Sequence, residues 1–131
     1  MRLLVAFGTD DGVHLNDDHV GMAREFLVYE FTDDGEELVE RRHNSRFAGD
    51  EAMKHGDPEK ARATSAVLTG VDVLVGRKFG PNITRLLKKF ACVVVRTPEV
   101  DSAVEAVRMH MDSVLEEHGK GQDRKHLVLH P

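Results

Sequence analysis

Gly70-Val71-Asp72-Val73-Leu74-Val75-Gly76-Arg77-Lys78-Phe79-Gly80-Pro81-Asn82 reads as a buried strand that passes through a glycine-bracketed turn into a helix. The apolar run suits a strand covered on both faces, and Pro81 has the fixed φ that opens a helix. Ile83, Leu86, Leu87 and Phe90 then recur at helical spacing, and Cys92-Val93-Val94-Val95 returns as a strand. Strand, helix and strand in this order predict a parallel crossover.

Reading outward, Thr97-Pro98-Glu99 opens a last helix whose Val100, Val104, Val107, Met111 and Val114 share one face and which stops near His118-Gly119. Upstream, Asp57-Pro58-Glu59 carries a cap, a first-turn proline and an acidic residue at the positive end of the helix dipole. Ala63, Ala66 and Val67 mark the inward side of that helix, and Gly70 closes it. Leu3-Leu4-Val5-Ala6-Phe7 is a further continuous apolar run and predicts a central strand. Phe26 to Phe31 is a strand leading through Asp33-Asp34-Gly35, a tight-turn signal, into an exposed edge strand over Glu37 to Arg42. The order strand, strand, strand, helix, strand, helix, strand, helix predicts an α/β domain with a mixed sheet of five strands over residues 1–118. Residues 119–131 read as a flexible C-terminal tail, except where Leu127-Val128-Leu129 docks onto the sheet or a partner.

The 131 residues suffice for one domain with one core. A formal charge of −5 opposes nucleic-acid binding. The single cysteine, Cys92, excludes an intrachain disulfide and a self-sufficient cysteine-ligated iron–sulfur site within one subunit, and fits a reducing cytoplasm. The apolar run at the N-terminus is too short for a signal segment or a membrane span.

The eight histidines are the chemically informative residues. His19 lies in the polar loop that leaves the first strand, at the sheet edge where open α/β sheets bind ligands, and a neutral imidazole is a good donor to transition metals. A loop histidine bonded to a neighbouring backbone group is the plainer reading. His14, five residues earlier, would supply a second nitrogen if the loop folds back, with Asp10, Asp17 or Asp18 nearby. These carboxylates equally suit simple turns, and the spacing is not that of an EF-hand. Cys92, inside an apolar strand, reads as a packing residue. His110, His118, His126 and His130 carry no site assignment, and no Walker-type phosphate loop is present.

His19-Val20-Gly21 ahead of the second strand, and Gly70 to Gly76 leading into Phe79-Gly80-Pro81-Asn82, resemble the dinitrogenase iron-molybdenum cofactor biosynthesis family over about residues 1–118. The resemblance implies a three-layer α/β/α, ribonuclease H-like architecture with five strands, the second antiparallel. It implies binding or carriage of a metal cluster, an iron-molybdenum cofactor or iron–sulfur cluster held transiently, rather than catalysis, with a cluster-assembly protein as partner. It leaves the oligomeric state, a homo-oligomer included, open. The family pattern has His-Phe-Gly where this chain has His19-Val20-Gly21, and a glycine pair where this chain has Gly76-Arg77. His19, Gly21 and Gly80 thus map to the cofactor edge, where Arg77 and Lys78 would attract an anionic cluster. A histidine before the first long helix also belongs to the pattern, and His55 matches it more closely than His43. Two other readings stand beside this one: a regulatory or interaction domain that kept the fold without the cluster, and a metal-dependent phosphoryl hydrolase, for which the first strand lacks the needed carboxylate.

Overall fold

The computed structural model describes residues 1–44 and 65–130. The Asp57-Pro58-Glu59 helix start and His55 lie outside the described residues.

The strands are β1 (Arg2–Thr9), β2 (Glu25–Thr32), β3 (Gly35–His43), β4 (Val73–Gly76), β5 (Ala91–Val95) and β6 (Leu127–Leu129). They form one six-stranded sheet in the order β3-β2-β1-β4-β5-β6. β2 runs antiparallel to both β1 and β3, whereas β1, β4, β5 and β6 are mutually parallel. The Asp-Gly signal closes a two-residue turn, with Thr32 paired to Gly35. A register shift at Val28/Tyr29 bends the β2–β3 ladder, and β3 is exposed along nearly its whole length. A bulge and charged side chains both protect such an edge from pairing with other chains.

Alternation along the strands splits the core into two clusters. Val5, Phe7, Phe31, Val73, Val75, Val93 and Val95 pack on one side. They are covered by α2 (Val100–Met109) and α3 (Met111–His118) through Ala103, Val107 and Val114. Ala6, Phe26, Val28, Leu74 and Cys92 pack on the other, with Val20, Leu68, Phe90 and Leu86 of the short α1 (Ile83–Leu86). Each fully buried aliphatic or aromatic side chain contributes about 1.5–3 kcal/mol of transfer free energy, so both clusters are needed to hold the sheet.

Two features differ from the sequence expectation. The sheet has six strands rather than five, because Leu127–Leu129 docks in parallel on β5, with Val95 opposite Leu129. Buried β5 would otherwise leave a row of backbone donors and acceptors without partners. The segment leading to β6 is bolted down: Arg124 donates from Nε to the His118 carbonyl at 3.0 Å and from a terminal guanidinium nitrogen to the Leu87 carbonyl at 3.1 Å. Buried Glu117 accepts from the Lys125 amide at 3.0 Å and from Lys120 Nζ at 3.2 Å, and these bonds hold its carboxyl below the usual range, that of the Lys125 amide foremost. The last helix also breaks at His110, whose φ of −113° leaves the helical region. The ring Nδ1 of His110 lies 2.8 Å from the Ala106 carbonyl, competing with the backbone ladder there.

Candidate functional site

β1 and β4 are neighbours, but the chain leaves them in opposite directions, towards β2 on one side and β5 on the other. Such a switch point opens a crevice at the carboxyl ends of the strands. Here it is roofed by the loop between β1 and β2.

The loop is shaped by its own polar side chains. Buried Thr9 donates its hydroxyl to the His14 carbonyl and accepts from the Gly12 amide at 2.9 Å. Asp11 accepts the Val13 and His14 amides, each at 2.8 Å, and lies 2.7 Å from His14 Nδ1. The His14 backbone bond, then its ring, hold the Asp11 carboxyl well below the usual carboxylate range. The Leu15 amide donates to the Pro98 carbonyl at 2.8 Å and the Asn16 amide to the Gly8 carbonyl at 3.0 Å, which turns the chain back over the crevice. Asn16, 3% exposed, donates from Nδ2 to the carbonyls of Asp18 and His19 at 3.1 and 2.9 Å. A 3-10 turn follows at Val20–Met22. The Arg24 amide then donates to Asp10 at 3.0 Å.

Glycines set how close the loop comes to the sheet. A Cβ on Gly76 would lie 2.7 Å from Val20 Cβ, and one on Gly8 would lie 2.9 Å from Val20 Cγ2. The buried Val20 therefore seats on the ends of β1 and β4 at once, and its amide donates to the Lys78 carbonyl at 2.9 Å. One residue earlier, the His19 ring covers Gly80: a Cβ there would lie 2.6 Å from Nδ1. The turn after β4 thus forms a glycine-lined seat for one imidazole. Asn44, fully buried at the end of the hairpin, donates Nδ2 to the carbonyls of Gly21 and Ala23 at 3.1 and 2.9 Å and so braces the 3-10 turn.

Charge is arranged around this seat. A terminal guanidinium nitrogen of Arg77 lies 3.1 Å from Asp17 Oδ1, and Lys78 Nζ donates to the Asp17 carbonyl at 3.1 Å. Asp17 thereby ties the β4 turn to the roof loop. The Asp17 side chain is 84% exposed, so the pair is readily exchanged with solutes.

Of the residues expected at the site, the structure sets His19 against Gly80 and ties Arg77 and Lys78 to the same loop through Asp17, while the carbonyl of Gly21 is bonded by Asn44. His14 is engaged elsewhere, by Asp11 and by backbone pairing with Glu99. Among the described residues no group of three or more His, Cys, Asp or Glu side chains converges as a metal-holding set. Cys92 is fully buried and its thiol is pushed up to about 12 by burial, against a smaller opposing effect of Arg124. Asn16 and Asn44 shape the site without having been singled out by sequence, where an asparagine in a polar loop signals only a turn, and Asp17, expected beside the histidines as a ligand or a turn residue, instead pairs with Arg77.

One imidazole and two adjacent cations, with Cys92 buried away from them, make an open set of one nitrogen donor and two positive charges. Among the described residues no helix is long and apolar enough to cross a membrane. No curated protein matches the chain. The family model described as dinitrogenase iron-molybdenum cofactor matches residues 1–112 of the 131, from β1 to the first turn of α3. The chain belongs to the dinitrogenase iron-molybdenum cofactor family.

Proposed function

We propose that the protein is a cytoplasmic accessory factor that binds and carries an iron-molybdenum or iron–sulfur cluster, or its precursor, as cargo. The observation that carries this reading is the seating of His19 over Gly80 beside Arg77 and Lys78 at the β1/β4 switch point. His19 would ligate a metal of the cargo, and the two cations would offset its negative charge, with Asp17 as the carboxylate that the cargo displaces from Arg77. His14 and His55 are the further imidazoles that this reading would enlist, and Gly21 would present backbone to the cargo. Residues 1–118 would form a ribonuclease H-like domain to which β6 is appended, with cluster-assembly proteins or a second copy as partners.

A phosphoryl hydrolase is disfavoured by where the carboxylates sit. Asp10 caps the Arg24 amide at one sheet edge. Asp72 precedes β4 at the opposite edge, bonded to the Leu4 amide at 2.9 Å and 3.4 Å from His118. Two-metal chemistry needs such groups to converge. An interaction domain without cargo is the second reading, favoured by one feature: Val20 already fills the space between Gly8 and Gly76.

Anaerobic titration of the purified protein with iron–sulfur and iron-molybdenum cofactor preparations, read by absorbance and metal content, tests the proposal. Binding that His19→Ala weakens at least tenfold is expected. Absence of binding to either protein would establish the interaction-domain reading instead.

A further inference from the structure

The net charge of the chain is −5, yet three cationic side chains and an imidazole collect where β4, β5 and β6 end. Arg77 and Lys78 follow β4, Arg96 follows β5, and His130 follows β6. Arg77 and Lys78 are both tied to Asp17. Exposed Arg96, by contrast, makes no hydrogen bond or ion pair to any described residue. The parallel register sets Val95 opposite Leu129, so the chain leaves β5 at Arg96 and β6 at His130 on adjacent strands, about 5 Å apart in backbone spacing. The same ladders place β4, with its His19 seat, about 10 Å from β6 across the sheet. His130 is held there by structure, because β6 is anchored through Arg124 and Glu117. β6 lies outside residues 1–112, the part matched by the family model.

We propose that Arg96, with His130 beside it, forms a second anion subsite at the β5–β6 end of the edge, which takes the sulfido or oxo face of a thiometallate or polynuclear cluster. This rests on the carrier reading and extends it. His19 grips one metal, while Arg96 presents a permanently charged, bidentate guanidinium to the anionic ligands at the far end. His130 adds an N–H donor. A mononuclear thiometallate is held at the Arg96 position alone; an extended cargo uses both.

The test uses tetrathiomolybdate, a mononuclear anionic metal sulfide, and an iron–sulfur cluster preparation, titrated anaerobically into the wild-type chain, Arg96→Gln, Arg96→Lys, His130→Gln and His19→Ala. For Arg96→Gln, binding of both probes is expected to fall about tenfold or more, with partial rescue in Arg96→Lys and an unchanged melting temperature, as befits an exposed residue. His130→Gln is expected to lower binding by a smaller factor. Wild-type affinity in Arg96→Gln overturns the subsite, and if His19→Ala is weakened in the same experiment the carrier reading survives alone. Tetrathiomolybdate bound through Arg96 while no cluster preparation binds leaves the subsite standing and retires the cluster reading. Failure of the wild-type chain to bind either probe overturns both.

Discussion

Nδ1 of His19 lies 2.6 Å from the point that a Cβ on Gly80 would occupy, closer than any real contact of that kind. The ring therefore owes its orientation to the missing side chain. Gly80→Ala would push the ring aside, and since an imidazole at the end of a rotatable bond can move, the fold should lose less than about 1 kcal/mol. Cargo binding, in contrast, should fall as far as in His19→Ala. Cluster titration and thermal melting on the same preparation check the split; a Gly80→Ala protein that binds as wild type would show that the orientation of His19 is irrelevant to cargo.

Gly76→Ala should behave in the opposite way. The atom it would strike, at 2.7 Å, is Val20 Cβ, which is fixed to the backbone of a buried residue and cannot swing clear. Overpacking of this kind costs about 1–3 kcal/mol. A melting temperature lowered by roughly 4–12 °C is expected. Unchanged melting would mean that the roof loop is not seated on the sheet in solution.

Asn44→Ala would remove the Nδ2 donor that the carbonyls of Gly21 and Ala23 both accept from inside the protein. Losing a buried donor to two acceptors costs about 2–3 kcal/mol, or roughly 8–12 °C of melting temperature. Asn44→Asp, isosteric but unable to donate, should be at least as destabilising near neutral pH. A neutral result in either variant would show that water replaces the amide without cost.

Much of this arrangement is written locally. Leu3 to Phe7 and Val71 to Val75 read as central strands because each is apolar on both faces, and the structure buries both faces. Asp33-Asp34-Gly35 specifies its turn by itself. β6 was harder to see, because three residues between polar, glycine-bearing neighbours fall short of an ordinary strand, and their pairing depends on Arg124 reaching Leu87, a contact far apart in sequence. The break at His110 hides in the same way: a histidine at an otherwise regular helical position gives no signal until its ring turns back to Ala106. At the site, the loop and the His19 and Gly80 positions were legible through resemblance. The contacts of Val20 with Gly8 and Gly76 were not, since glycines at strand ends signal turns before they signal close approach.

Cys92 supplies a prediction that bears on both stability and cargo. Burial raises its thiol from the ordinary 9.0 to about 12, so the folded chain holds this proton where the unfolded chain has released it. The contribution of the group is therefore complete below pH 9 and is lost as the pH climbs to about 12. Tyr29, also raised by burial and by Asp101, acts with the same sign. Replacing Cys92 by Val should flatten the fall in stability between pH 9 and 12, measured by denaturant unfolding at several pH values. At pH 8 the folded protein should resist a thiol reagent that labels it promptly in denaturant. Slow labelling and normal cargo binding together would place the cargo on nitrogen and on charge, not on the sulfur of this chain. Prompt labelling of the folded chain would instead mean that β5 opens to solvent and offers a thiolate after all.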